Sequence, residues 1–127
     1  MDKLFDYLEP DFLFNDDRGM LVQLVRNGWN QVNYIYTKKG VIRGNHYHKF
    51  NTEAFFVISG KFNLELQSLD GDKRENVIMN KNKFFRIGPN VLHSFTFLED
   101  TLLISMYDKG VEKTDGSKDI ETLNSIF

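Results

Sequence analysis

Short segments with the residue pattern of β-strands recur along most of the chain, and turn residues separate one segment from the next. In the clearest segment, 62–67, apolar and polar residues alternate, as in a strand with one buried face. Asp70-Gly71 follows it, a dipeptide typical of tight hairpins, and 74–79 has the pattern of the returning strand. Further segments of β character are 21–25, 32–37, 53–58, 84–87, 92–97 and 101–107. Short strands at such regular spacing predict a β-sandwich or barrel.

Only the two ends of the chain have a helical pattern. We expect a short helical turn over 2–8 and another over 119–127, where Ile120, Leu123 and Ile126 repeat at helical spacing. The prediction is therefore an all-β fold with short terminal helical segments.

The composition limits the classes of partner and site. The net charge is −2, from 16 Lys and Arg against 18 Asp and Glu, and no basic stripe is present, so nucleic acid is not an expected partner. The chain has no cysteine, which excludes disulfides, thiolate metal sites and a cysteine nucleophile. With 127 residues and no linker or repeat, we expect a single domain over 1–127.

Apolar runs are short throughout the sequence. The N-terminus is acidic and lacks the apolar region of a secretory signal, and the longest purely apolar run, 54–58, cannot span a membrane. We therefore expect no membrane association and a cytoplasmic location.

The segment 53–58 is apolar on both of its faces. Phe55 and Val57 share a face with Glu53, and Ala54, Phe56 and Ile58 share the other. A strand that is buried on both sides needs a cover outside its own sheet. Either a second subunit, giving a homodimer, or an N-terminal segment of the same chain would supply it.

All three histidines of the chain belong to one spacing pattern. In order, the pattern is Gly40, His46, His48, Glu53, Gly60 and, much later, His93. His46 and His48 are two residues apart, so on a strand they share a face, with Cα atoms roughly 6.6 Å apart. Glu53 is an odd number of residues from both, so reaching the same interior requires a turn or bulge over 49–52.

Three imidazoles and a carboxylate are enough to hold a divalent metal and leave one position open. Zn²⁺ is the first candidate, and Mn²⁺, Fe²⁺ and Ni²⁺ also suit these ligands. An isolated histidine on a strand is more often a hydrogen-bonded or surface residue than a ligand. The complete pattern, with a glycine at each end, favours a shared polar pocket at His46, His48, Glu53 and His93.

These residues resemble a known family. The pattern from Gly40 to Gly60 is similar to the first cupin motif without a gap, and 86–93 is similar to the second. The second motif departs from the family pattern in having Gly88 where proline is common, Asn90 where glycine is common and Phe97 where asparagine is frequent. The resemblance implies a single-domain cupin jelly-roll β-barrel with its core at about 16–108.

A narrower resemblance indicates sugar chemistry. Asp17-Arg18-Gly19 and the run RGNHYHK at 43–49 are similar to segments of the cupins that act on nucleotide sugars. Those are the dTDP-4-keto-6-deoxyhexose 3,5-epimerases, the dTDP-sugar 3,4-ketoisomerases and the zinc-bearing cupin domain of capsular polysaccharide enzymes. The resemblance implies an epimerase or ketoisomerase of a 4-keto-6-deoxy nucleotide sugar, in surface polysaccharide biosynthesis.

The resemblance also assigns roles to residues. Arg43 would bind the diphosphate, with Asn45 and Tyr47 as further substrate-binding residues, and Tyr36 is a candidate proton donor. His46 matches the family's general base, and a pKa near neutrality suits that task. The relatives with that base generally work without metal. His46 cannot be a ligand and a free base at once, and the presence of His48 and Glu53 favours the metal form.

Two other functions use the same residues. A non-catalytic cupin could bind a sugar or another small ligand in this pocket. A metal-dependent oxygenase or decarboxylase could use the same four ligands.

Overall fold

The computed structural model describes residues 3–123, and the described part contains eleven β-strands. In chain order they are β1 (Asp6–Tyr7), β2 (Phe12–Asp16), β3 (Gly19–Gln23), β4 (Gln31–Thr37), β5 (Ile42–His46), β6 (Glu53–Ser59), β7 (Lys61–Ser68), β8 (Arg74–Asn80), β9 (Phe84–Ile87), β10 (Val91–Phe97) and β11 (Thr101–Tyr107). None of the described residues lies in a helix that could cross a membrane.

The strands form two facing antiparallel sheets and a separate hairpin. One sheet has the order β1-β9-β6-β11-β4, the other has the order β5-β10-β7-β8, and β2 pairs only with β3. The buried core lies between the two larger sheets and takes Phe55, Val57, Phe85 and Leu103 from the first and Phe62, Leu64, Leu66 and Phe95 from the second. The predicted all-β class is confirmed.

The sheets are not closed into a hydrogen-bonded barrel, so that part of the prediction was wrong. Among residues 3–123, no strand ladder joins β4 to β5 or β1 to β8, which are the edges of the two sheets. Ile35 of β4 and Ile42 of β5 instead both line one cavity. This cavity therefore includes residues of the two edge strands that are not joined.

The predicted terminal helices are also absent from the described residues, 3–123. In the range 2–8, Leu4 and Phe5 are buried in the core, and β1 pairs with β9, which requires extended backbone. In the range 119–127, residues 119–123 are irregular and Glu121 forms a β-bridge with Tyr47. Residues 2 and 124–127 lie outside the described part. At both ends, tertiary contacts override a weak local preference.

The outer face of β6 is covered by the N-terminal part of the same chain. Ala54 and Phe56 pack there with Phe84 and Met106 in a second buried cluster. Leu8, Leu24, Val25 and Trp29, which precede β4, pack against this cluster. Of the two covers that the sequence left open, the structure contains the N-terminal segment.

Several residues of the cupin-like motifs adopt left-handed backbone conformations, among them Asn90 and Gly60. Asn90 has φ of 64°, which asparagine tolerates, so its presence in place of a glycine leaves the turn intact. Gly60 has φ of 100°, and a Cβ added to it would lie 2.5 Å from the Asp100 carbonyl oxygen. Glycine is required at position 60 for both reasons.

Candidate functional site

A cavity of about 380 Å³ lies between the two sheets and holds most of the residues with reactive side chains. Its apolar lining comes from both sheets, with Ile35, Phe55 and Leu103 from one and Ile42, Phe95 and Phe97 from the other. The polar residues that line it are Arg43, His46, Glu53, His93 and Tyr107. A few polar groups among apolar side chains are the usual construction of a small-molecule pocket.

Strand pairing brings the three histidines together. His46 ends β5 and is directly opposite His93 of β10 in the sheet register. His48 follows two residues later, and the ring centroids are 5.1 Å apart for His46 and His48, 4.8 Å for His46 and His93, and 5.4 Å for His48 and His93. One donor nitrogen from each ring lies within 4.8 Å of the others.

Glu53 joins this cluster from the first position of β6. The predicted turn over 49–52 is present, and it returns the chain so that Glu53 Oε1 lies 3.1 Å from His48 Nε2. The same oxygen is 3.9 Å from His93 Nε2. The turn therefore lets Glu53 face the same interior as His48, although the two residues are an odd number of positions apart.

Backbone carbonyls orient the imidazole rings. His48 Nδ1 lies 2.6 Å from the Asp119 carbonyl oxygen, and His93 Nδ1 lies 3.0 Å from that of Val91. A carbonyl oxygen only accepts, so Nδ1 donates in both rings, and Nε2 is the nitrogen that faces the cluster. The backbone of Gly44 interacts with His46 as well and favours the charged form of its ring.

The cluster fits a divalent metal. His93 Nε2 is buried and has no hydrogen-bond partner among the described residues, a costly state for an isolated polar atom. Ring N–H groups fixed by carbonyls, with the second nitrogens converging beside a carboxylate, are the arrangement that metal-binding histidines adopt. His46, His48 and His93 with Glu53 supply the nitrogen and oxygen ligands that Zn²⁺ prefers.

The electrostatics keep two of the rings neutral. Burial, with the neighbouring His46, lowers the pKa of His93 to about 3. Burial, with the neighbouring His48, lowers the pKa of His46 to about 4. Burial also opposes the charged form of His48, but hydrogen bonds to Glu53 and Asp119 outweigh it and raise the pKa. Neutral imidazoles are the form that binds metal.

Tyr107, which the sequence interpretation missed, is the tyrosine at the site. Its ring makes an edge-to-face contact with His48, with centroids 5.1 Å apart. Burial, followed by the charge and hydrogen bonding of Glu53, raises its pKa well above the usual range. The alternating pattern of 101–107 indicates that Tyr107 points inward, because it shares a strand face with the buried Leu103.

Arg43 is also at the site, as the sequence predicted. It lines the cavity, and its Nε donates to Thr37 Oγ1 at 2.7 Å.

The other three predicted residues lie elsewhere. Tyr36 is 51% exposed and alternates with Ile35 and Thr37, so it is on the outer face of its sheet. Asn45 lines a second cavity, which shares His93 with the first, and Tyr47 lies between the two histidines in sequence and does not line the first cavity. The one-residue parity of β-structure separates Tyr36 and Tyr47 from it, whereas Asn45 follows Gly44 in a left-handed stretch of β5.

Comparison with known proteins identifies the family. The model of the polysaccharide biosynthesis C-terminal domain matches residues 14–112. A search of curated protein sequences found no match. The cupin resemblance is confirmed by similar solved structures.

The similar structures include sugar 3,4-ketoisomerases. One from Helicobacter canadensis is 25% identical, with 88% of this chain and 87% of that chain covered and a TM-score of 0.74. The fold is also that of QdtA from Thermoanaerobacterium thermosaccharolyticum, a 3,4-ketoisomerase solved with TDP-4-keto-6-deoxyglucose, at 18% identity, 98% and 91% coverage and a TM-score of 0.81.

A third structure is the capsular polysaccharide assembling protein CapF from Staphylococcus aureus. It is 23% identical, and the match covers 88% of this chain but 34% of that chain, with a TM-score of 0.67. The match to the family model spans more than half of the sequence, and the chain therefore belongs to the polysaccharide biosynthesis C-terminal domain family, within the cupins.

Proposed function

We propose that this protein is an isomerase or epimerase of a 4-keto-6-deoxy nucleotide sugar, in a pathway of surface polysaccharide synthesis. The observation that carries the proposal is the clustering of the three histidines beside a cavity that His46, His93, Glu53 and Arg43 line. The 3,4-ketoisomerase activity of relatives with this fold supports the same class of reaction.

The cavity suits a sugar ring with its nucleotide outside. Its volume of about 380 Å³ is at the small end of ligand pockets. The aromatic and aliphatic lining offers apolar contact to the ring, and Arg43 offers the planar, permanently charged group that diphosphates bind.

We assign the metal to His46, His48, Glu53 and His93, with zinc as the first candidate. A metal held there would act as a Lewis acid toward the keto oxygen of the substrate. Tyr107 keeps its proton because its pKa is raised, and its hydroxyl donates to Glu53, which orients that carboxylate.

The assignment of His46 has a defined alternative. If the purified protein is folded and active without metal, we assign the general base to His46. Burial lowers its pKa to about 4, so the ring is unprotonated near pH 7 but is a weaker base than the near-neutral imidazole that suits this task best. Elemental analysis of the active protein, with and without prior chelation, separates the two roles.

Isotope exchange tests the reaction itself. The protein is incubated with dTDP- and UDP-linked 4-keto-6-deoxy sugars in deuterated water, and the sugar is analysed by NMR and mass spectrometry. We expect deuterium at C3 or C5, together with an isomerised product. Absence of both with all substrates would overturn the proposal, and tight binding without exchange would favour a non-catalytic binding protein.

A pair of arginine variants tests the diphosphate contact. Arg43→Leu should raise KM at least about 10-fold, because an arginine–phosphate contact is a strong charge-assisted pair. Arg86→Leu is the control, since Arg86 is exposed and pairs with Asp6 outside the cavity. Equal KM values for the two variants would exclude Arg43 from substrate binding.

A further inference from the structure

We propose that the segment 111–121 is a positioning element of the histidine site, acting through Asp119. It holds the turn between His48 and Glu53 and sets the orientation of the His48 ring. Asp119 does not line the cavity, so it acts through other residues and not on the substrate.

The Asp119 carboxylate organises the turn. Oδ1 accepts from the backbone N–H of Lys49 at 2.8 Å, and Oδ2 accepts from those of Phe50 and Asn51 at 3.0 Å each. Oδ2 also accepts from Asn51 Nδ2 at 2.9 Å. Three successive N–H groups of the turn thus converge on one carboxylate, which is 1% exposed.

The Asp119 backbone acts on the ring itself. Its carbonyl oxygen accepts from His48 Nδ1 at 2.6 Å, and this contact leaves His48 Nε2 directed at Glu53. One residue therefore fixes both the nitrogen that faces the cluster and the path of the chain from His48 to Glu53.

Contacts on either side hold Asp119 in place. Its N–H donates to the Val111 carbonyl at 2.7 Å, and Glu121 and Tyr47 exchange two backbone hydrogen bonds of 2.9 Å. Asn51 connects the turn to the start of the segment, because its Nδ2 donates to the Gly110 carbonyl at 2.9 Å. Asp119 is therefore held by contacts on both of its sides as well as by the turn itself.

Burial makes the carboxylate hard to replace. Several N–H donors hold its charge in a site that water does not reach, and hydrogen bonds to a charged acceptor are stronger than neutral ones. An amide at the same position offers one acceptor oxygen and turns a donor toward backbone N–H groups. The turn would then have unpaired donors, and it would relax to a geometry in which His48 and Glu53 no longer meet.

The test compares Asp119→Asn with Asp115→Asn in the full chain. Asp115 is on the same segment, but its carboxylate accepts hydrogen bonds from Ser117 in an exposed loop, away from the turn. Zinc affinity is measured by chelator competition, and the His48 Nδ1–H resonance is followed by NMR in the metal-free protein. We expect Asp119→Asn to weaken zinc binding about 10- to 100-fold, the range for outer-shell partners, and to broaden or remove the resonance. Asp115→Asn should change neither.

The two readouts separate this inference from the proposed function on which its metal part rests. If the wild-type protein does not bind zinc, the metal assignment is refuted. The His48 Nδ1–H resonance is then the one readout that tests the role of Asp119. A folded Asp119→Asn protein with wild-type zinc affinity and an unchanged resonance would overturn the inference. Equal losses in Asp115→Asn would also overturn it, because they would show a general loosening of the segment.

Discussion

His93 shows how one residue links the strands to the chemistry of the site. It is 1% exposed, its Nδ1–H is bonded to its own strand, and its Nε2 has no partner in the described part of the chain. An apolar residue would pack there at lower cost, so stability does not explain the imidazole. His93 alternates with polar residues and shares a strand face with Phe95 and Phe97, and this pattern predicts that it is buried. The unpaired nitrogen could not be predicted from the sequence, because it depends on which atoms surround the ring in the folded protein.

Acid should destabilise the metal-free protein through His93. Its folded pKa of about 3 is below the unfolded value of 6.5, so the unfolded chain binds more protons as pH falls below 6.5. Between pH 7.5 and pH 5 this proton uptake should lower the free energy of unfolding by about 2 kcal/mol, because each pH unit below 6.5 contributes about 1.4 kcal/mol. The free energy is measured by urea denaturation with chelator present, and His93→Leu should lose that share of the pH dependence. Parallel pH profiles for the two proteins would contradict the prediction.

Removing His48 should abolish tight metal binding. His48→Ala deletes one nitrogen ligand and the partner of Glu53, so zinc affinity should fall at least about 100-fold, beyond the loss from an outer-shell partner. Elemental analysis after gel filtration measures the bound zinc. Lys49→Ala is the control, because the Lys49 side chain is exposed and only its backbone contacts Asp119. Zinc retained by His48→Ala would remove His48 from the ligand set.

At the scale of elements, the strands that the sequence predicts best are those in which alternate residues face the common core. The predicted segments 84–87 and 101–107 agree with β9 and β11 at both ends. The strand β2 was not predicted, because it pairs only with β3 and all of its residues are exposed, so it carries no core-facing alternation. The turn over 49–52 was predictable from parity, but its partner Asp119 was not, since no local pattern connects residues so distant in sequence.

The turn between β6 and β7 should require glycine at position 60, because there is no room for a side chain. Gly60→Ala adds a Cβ that collides with Asp100 and Thr101, whereas Gly28→Ala adds one with nothing within 4 Å, although both residues have positive φ. Gly28→Ala should cost about 1–2 kcal/mol for the backbone conformation alone. Gly60→Ala should cost about 1–3 kcal/mol more, as overpacking does. Urea denaturation measures both, and equal losses would show that the close approach at Gly60 is relieved without cost.

Across the whole molecule, the two faces of the five-stranded sheet have different roles. Its inner face contributes Glu53 and Tyr107 to the site, and part of its outer face is covered by the N-terminal segment. The outer face of β4 remains open, with Val32, Tyr34 and Tyr36 exposed, and the β2–β3 hairpin exposes large apolar side chains nearby in sequence. A lone two-stranded hairpin is marginally stable in water. We therefore keep the homodimer as a proposal, with these surfaces at its interface.

A charged residue on the exposed outer face of β4 should dissociate the proposed homodimer. Tyr34 is 71% exposed, and Tyr34→Glu would bury an unpaired carboxylate in the proposed interface. We expect light scattering after gel filtration to give a dimer for the wild-type protein and a monomer for Tyr34→Glu at micromolar concentration. Ile78→Glu, on a strand of the other sheet, is the control and should remain dimeric. A monomeric wild-type protein, or a dimeric Tyr34→Glu protein, would contradict the proposal.

The position of Asp119 in the chain has a consequence for biosynthesis. A ribosome makes His46, His48 and Glu53 well before residue 119, yet the turn between them lacks its hydrogen-bond acceptor until Asp119 has left the exit tunnel. His93 and Tyr107 also precede Asp119 in translation. If the site binds metal as proposed, we therefore expect a nascent chain to bind it with reduced affinity until Asp119 has emerged and nearly all of the strands can pair.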